Sequence, residues 1–269
     1  MKYAIIVLCS LILIFPLYLM FIGSFQNIVG LMKMPPNMWP KKPTWDNYKN
    51  LLTGIPLLRW LLNTIIISFS TVILTVIVTF MAGFAMTRIQ GKLKHLIYLI
   101  FLIPIMIPRQ TLLLPLYVTV KRLQFPSMVA TIFPAVFYPV GVFLCMNYIE
   151  TIPTELIDAA RIDGAGNLKI IFRVVVPLSK PILACIGIFS FIGILGDYVW
   201  QYLLLRSEEQ RTLLVGLIGA VLKEGRHFTQ LNPIGLQLTA GVILFMPLLI
   251  VFISFQKYFQ SGLTLGGIR

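Results

Sequence analysis

Six stretches of this chain, at about residues 3–22, 60–86, 96–120, 128–148, 182–205 and 234–255, are apolar almost without interruption over about 20 residues or more. A helix of that length crosses the ~30 Å hydrocarbon core of a bilayer. Lipid offers no hydrogen-bond partner to an exposed peptide group, so a crossing segment must satisfy its own backbone, as a helix does. The stretch at 60–86 is rich in β-branched residues, yet it is far too long for a buried strand. Composition agrees, with 58% of residues hydrophobic and 12% charged against the ~25% charge of a soluble domain. A soluble globular enzyme and a disordered chain are both excluded. Six spans use roughly half of the 269 residues, which leaves no room for a separate soluble domain of about 100 residues. The predicted fold class is an all-α polytopic membrane protein, a single domain over residues 1–269.

Met1-Lys2 leads straight into the first apolar block, which outruns the apolar core of a cleavable signal and reads as a retained span. Residues 24–59 are polar and full of turn formers, with Trp39, Trp45 and Tyr48 as interfacial anchors, and read as an extramembrane loop. Pro104, Pro108 and Pro115 interrupt the third span, with Arg109-Gln110 among them, and Pro134 and Pro139 interrupt the fourth. Irregular backbone at membrane depth survives where it is buried in protein or lines a wet cavity, so the third span is expected to face a pathway. Residues 206–233 read as a polar loop and 256–269 as a short tail. No internal repeat is visible, unlike the inverted repeats of many secondary transporters.

The formal charge is +13, from 22 Lys and Arg against 9 Asp and Glu. In a soluble chain that balance would raise the question of nucleic acid. Here the bases lie between apolar blocks, so anionic lipid headgroups are the expected partner and nucleic acid is not. Ten Lys and Arg fall on the side of the termini and eleven on the other, with Arg109 inside the membrane, so charge does not set the orientation. Cys9, Cys145 and Cys185 each sit inside an apolar block, share no CxxC spacing and read as small core residues. His95 and His227 stand alone in predicted loops and read as surface histidines.

One loop breaks the pattern: residues 150–180 hold four acids and four bases. Pro153 suits the first turn of a helix, and Glu155 and Asp158 near that start complement its dipole. Gly164 then stops the helix, because a left-handed closing residue costs glycine no Cβ clash. A second short helix is predicted from Asn167 to Val175, ending ahead of Pro177. Ala159, Ala160, Gly164 and Ala165 leave a stretch almost free of bulk, where another protein's backbone could approach. On composition alone the segment reads equally as a docking element or as an amphipathic interfacial linker.

This stretch resembles the EAA loop of ABC importer permeases, with matches at Ala159, Ala160, Asp163, Gly164, Ala165, Phe172 and Pro177, and with Asp158 where that family usually carries Glu. Asn63-Thr64, Ala82 to Arg88, Ile107 to Gln110, Leu114 to Tyr117 and Phe255 to Thr264 resemble the carbohydrate-uptake branch, in the subgroup of the second permease of maltose and glycerol-3-phosphate importers. The similarity covers nearly the whole chain. It implies six transmembrane helices with a cytoplasmic coupling-helix loop between the fourth and fifth. That loop would dock an ATP-binding subunit through Glu155, Asp158, Ala159, Ala160, Asp163, Gly164 and Ala165. The resemblance also implies a multi-pass protein of the cell membrane with both termini cytoplasmic. Its implied partners are a second homologous permease, two ATP-binding subunits and an extracytoplasmic solute-binding protein. The solute would be an oligosaccharide, monosaccharide, polyol or glycerol phosphate, moved by alternating access. ATP and Mg would sit on the partner subunits, with no cofactor and no metal in this chain.

The chain has no GxxxxGK[ST] loop, since Gly91-Lys92 is followed by Leu and Gly262 to Gly267 has no lysine after it, so it is not the ATPase. No HExxH, GxSxG or paired histidines point to enzymatic chemistry. An ion-coupled secondary transporter or channel built on Arg109 and Asp197 is the remaining rival, and it leaves the glycine-hinged loop unexplained. Asp197 sits in the fifth span beside Tyr198, Trp200 and Tyr202, and an ionisable group at that depth is a functional candidate by default. The substrate-pathway candidates are Asp197, Tyr198, Trp200, Arg109, Gln110 and Tyr117, with Tyr138 and Asn147 as weaker ones. The competing reading for Asp197 is a structural pair, with Arg109 or with a base on a partner.

Overall fold

The structure is a computed structural model that describes residues 2–33, 37–53, 55–224 and 232–264; His227 and residues 265–269 lie outside them. No strand occurs among the described residues. Tyr3–Ser24, Leu57–Arg88 and Pro233–Gln256 are each long and apolar enough to cross a bilayer unaided. Three pairs of helices qualify only together, each bent at a short break: Gly91–Met106 with Arg109–Arg122 by 95°, Ser127–Val136 with Pro139–Glu150 by 43°, and Asn167–Leu178 with Lys180–Gly196 by 75°. Counting each bent pair as one crossing gives six. Proline sets two of the breaks. The residue ahead of a proline is driven out of the helical region, and Ile107 before Pro108 is extended, with φ −91° and ψ 122°, while Tyr138 before Pro139 has φ −125° and ψ 79°.

The structure departs from the sequence reading in four places. The fifth span does not run unbroken over 182–205: Lys180–Gly196 stops at Asp197, whose ψ of 68° is not helical, and Tyr198–Leu204 follows as a separate helix. The second loop helix does not end before Pro177. It continues to Leu178 through a π-helical turn at Ile171–Val175, a widening that accommodates a proline ring otherwise in conflict with the carbonyl four residues back. The two stretches read as loops, 24–59 and 206–233, contain the helices Asp46–Thr53 and Leu213–Glu224. Residues 213–222 are apolar rather than polar, and they are folded because they would not stay solvated.

The chain divides into two compact units. The first comprises residues 1–64 and 206–250. Its core is the fully buried Trp60 with Leu51, Leu213, Leu217, Ala220, Leu236 and Ala240. Gly216 is glycine because a Cβ there would overlap the Trp60 indole. Asn63 Nδ2 donates to the carbonyls of Glu209 at 2.8 Å and Arg211 at 2.9 Å, and the Leu213 amide donates to Thr64 Oγ1 at 2.7 Å. Asn47 Nδ2 likewise donates to the carbonyls of Ser24 and Gln26, and Asn232 Nδ2 donates to Gln26 O and Asn47 Oδ1.

The second unit comprises residues 65–205 and 251–269. One face of the second span within it, Ser68, Thr71, Thr75 and Thr79, is buried, while Ile66, Phe69, Ile73 and Ile77 are exposed. Small polar residues turn toward protein and aliphatic ones outward, as in a lipid-facing helix. Its largest core cluster joins Phe80, Cys145, Ile149, Ile182, Cys185 and Ile186 to Ile152, Ile157, Ile170, Ile171 and Val175 of the loop after the fourth span.

Candidate functional site

The loop between the fourth and fifth spans is built as the sequence reading expects up to its glycine. Thr154–Ile162 is helical, with Pro153 directly before it and Glu155 in its first turn. Gly164 has φ +77°. Its amide donates to Arg161 O at 2.9 Å and the Ala165 amide to Ala160 O at 3.0 Å, the paired bonds of a Schellman closure. No atom lies within 4 Å of a Cβ placed on Gly164, so the backbone angle, and not crowding, calls for glycine.

The two faces of the loop differ. Ile157 and Ile170 are buried in the core cluster, and Ala160 and Ala165 pack against the same cluster. Ala160 and Ala165 stay half-buried, so they are shared between the span ends and the outer surface of the loop. Glu155, Asp158, Ala159, Asp163 and Gly164 are exposed. So are Leu156, Ile162, Leu168 and Phe172, with Ile162 87% exposed, and of these four apolar residues the sequence reading names only Phe172. Asp158 Oδ1 lies 3.5 Å from Arg161 NH1. The loop is tied at both ends, by Lys94 Nζ to Glu150 Oε1 at 2.9 Å and by Tyr148 OH donating to Leu178 O at 3.3 Å.

The second locus lies among the broken spans. Arg109 follows the 95° break in the third span, and Asp197 caps the helix of the fifth. Arg109 NH2 and Asp197 Oδ2 are 2.7 Å apart, the carboxylate side chain 11% exposed and the guanidinium side chain 57%. Asp197 and Arg109 thus form an ion pair. Beside the pair is a cavity of about 260 Å³, walled by Arg109, Thr71, Tyr138, Phe189, Ser190 and Gly193 among others.

Of the pathway candidates, Arg109 lines this cavity and Gln110, Tyr117, Tyr198 and Trp200 do not. Trp200 is fully buried with Val120, Ala130 and Leu204, and Tyr117 packs on the same cluster. Tyr198 stacks on Tyr202 at 5.5 Å between ring centroids, and Gln110 is exposed. Thr71, Ser190 and Gly193 went unnoticed in the sequence. The signal for Thr71 was there, in the Thr71, Thr75, Thr79 spacing along one face of an apolar helix.

Residues 75–265 match the family described as binding-protein-dependent transport system inner membrane component. Over 264 residues the chain is 31% identical to the arabinooligosaccharides transport system permease protein AraQ of Bacillus subtilis (strain 168), covering 97% of this chain and 92% of that protein. Over 274 residues it is 32% identical to the maltodextrin transport system permease protein MdxG of the same organism, covering 99% and 95%. In fold it is similar to a chain in the crystal structure of a bacterial ABC transporter involved in the import of the acidic polysaccharide alginate. The TM-score there is 0.83 at 22% identity, over 96% of this chain and 95% of that one. The family resemblance read from the sequence is borne out, and the chain belongs to the inner membrane components of binding-protein-dependent transport systems.

Proposed function

We propose that this chain is a permease subunit of an ATP-driven importer that carries a sugar-class solute inward across the cell membrane. Its partners are a second, homologous permease, two ATP-binding subunits and an extracytoplasmic solute-binding protein. The relatives that name arabinooligosaccharides and maltodextrin support the solute class. ATP and Mg sit on the partner subunits. The termini and the 150–180 loop face the cytoplasm, where the ATP-binding subunits are.

The observation that carries this reading is the two-faced loop. Leu156, Ile162, Leu168 and Phe172 offer an exposed apolar surface beside the charges of Glu155, Asp158 and Asp163. Burying such a patch against a partner gains about 25 cal/mol per Å² of apolar area. The opposite face is packed into the span ends, so a displacement of the docked partner passes to the spans. Closure of the ATP-binding subunits opens the spans to the binding protein, and reopening after hydrolysis releases solute inward, driven by the differential affinity of ligands for the two states.

The test is recovery of the tagged chain from its native membrane with its partners. An ATP-binding subunit and a second permease are expected with it, and Ile162→Asp with Phe172→Asp is expected to release the ATP-binding subunit while leaving the chain in the membrane. Recovery of the chain alone, with uptake driven by an ion gradient, would sink the importer reading.

A further inference from the structure

A second cavity, of about 170 Å³, lies within the second unit between its second, fifth and sixth spans, and every residue on its walls is apolar. It shares no residue with the cavity beside Arg109 and Asp197. Val72 and Val76 form one side, Leu183 and Ala184 another and Val251 a third, with Gly187 between them. A Cβ on Gly187 would stand 3.6 Å from Val72 Cγ1 and 3.7 Å from Val76 Cγ2, so a methyl group fits there and a larger side chain would fill the space. Phe69 on the rim is exposed, as are Ile66 and Ile73 on the same span. Water needs polar partners to occupy such a space, and at membrane depth the substance at hand is hydrocarbon.

Charge and length identify the occupant. Lys180 opens the helix of the fifth span, is exposed and enters no ion pair among the described residues. Leu183, Ala184, Gly187 and Phe191 follow it at three, four, seven and eleven positions, which is one face of a helix. Eleven residues at 1.5 Å each make about 16 Å, close to half of the ~30 Å hydrocarbon core. At the far end Phe191 meets Phe69 edge to face, with 6.2 Å between ring centroids. The face thus runs from a cation at the start of the span to a ring pair about one leaflet deep, the proportions of a phospholipid with its phosphate at one end and its chain along the groove. A partner helix fits less well, because one turn with its side chains fills roughly 400 Å³.

We propose that this cavity seats one acyl chain of an anionic phospholipid whose phosphate rests on Lys180. Clusters of basic residues at the end of a span attract anionic headgroups, and here a single lysine stands above a groove shaped for the chain. The seat depends only on these helices crossing a bilayer, so it stands whether or not an ATP-binding subunit docks on the loop.

The test uses the whole complex, tagged on this chain and held in detergent, to which dioleoyl phosphatidylglycerol or dioleoyl phosphatidylcholine is added before native mass spectrometry. Gly187→Phe should carry one phosphatidylglycerol fewer than the unaltered complex, and Gly187→Ala, whose methyl makes ordinary contacts, should carry the same number. At the site so defined, phosphatidylglycerol is expected to bind about fivefold more tightly than phosphatidylcholine. Lys180→Gln, a change at an exposed position, should bring the two lipids level while the seat for the chain remains. Equal lipid counts in Gly187→Phe and the unaltered complex, or a preference for phosphatidylglycerol unmoved by Lys180→Gln, overturns the proposal. So does loss of a second permease from Gly187→Phe with the lipid count unchanged, which would assign the groove to a protein helix.

Discussion

Arg109 and Asp197 stand 88 positions apart and meet at 2.7 Å, each where a helix has just been interrupted. The pair is lopsided, with the acid buried and the base half in the open. Arg109→Ala should therefore lower stability by about 1–3 kcal/mol, because it leaves a desolvated carboxylate with no cation. Adding Asp197→Asn should recover most of that loss. Thermal unfolding of the purified protein reads both, and a double variant as unstable as the single one would show that the pair is not the cause.

Gly164 should tolerate asparagine and reject valine. At φ +77° a β-branched residue costs about 1–2 kcal/mol, whereas asparagine visits the left-handed region readily. Gly164→Val is expected to abolish uptake and retention of the ATP-binding subunit with the chain still at normal membrane levels, and Gly164→Asn to keep both. Since nothing crowds the position, equal loss in the two variants would remove the backbone explanation.

Asn63→Ala strips hydrogen bonds from two carbonyls, those of Glu209 and Arg211, at a cost of about 1–3 kcal/mol. The effect should be local. Limited proteolysis within residues 206–212 should quicken severalfold, while cleavage in the 150–180 loop stays as before.

Threonines on one helix should respond oppositely to the same change. Thr75 Oγ1 is buried without a partner, so Thr75→Val should be neutral or stabilising, by up to about 1 kcal/mol. Thr64 Oγ1 accepts from the Leu213 amide at 2.7 Å and donates to Trp60 O at 2.8 Å, so Thr64→Val should destabilise by about 1–2 kcal/mol. Unfolding midpoints that move the same way would contradict the assignment of hydrogen bonds.

Much of the fold is legible from the residues because lipid imposes a long apolar run on every crossing helix. The proline breaks at Pro108 and Pro139 and the glycine closure at Gly164 are legible too, since each follows from one residue's backbone. What escapes is whatever depends on distant contacts. The helix at Leu213–Glu224 hides in a loop because its apolar face exists for Trp60, some 150 residues earlier, as the Trp60 Nε1 bond to Glu208 O records. Asn63 and Thr64 stand out as a motif, but only the folded loop shows that they hold residues 209–213. That Ala160 packs in part against the core under the loop, and that Trp200 is buried with Val120, Ala130 and Leu204, depends on the same distant contacts. The cavity walls come from the second, third, fourth and fifth spans, and no local pattern assembles them.

The shared core of the 150–180 loop has a mechanical consequence. Phe80 of the second span, Cys145 of the fourth and Cys185 of the fifth are held in one cluster with Ile157, Ile170 and Val175 of the loop. Under the proposed docking, torque at Ile162 or Phe172 would reach three spans together through that shared core. In that proposed stroke the strain would fall on joints, and the described residues offer helix interruptions at Ile107–Pro108, Tyr138, Ser179 and Asp197. Two of these, the first and the last, are clasped together by Arg109 and Asp197, so whatever loosens that clasp sets how stiffly the stroke is resisted.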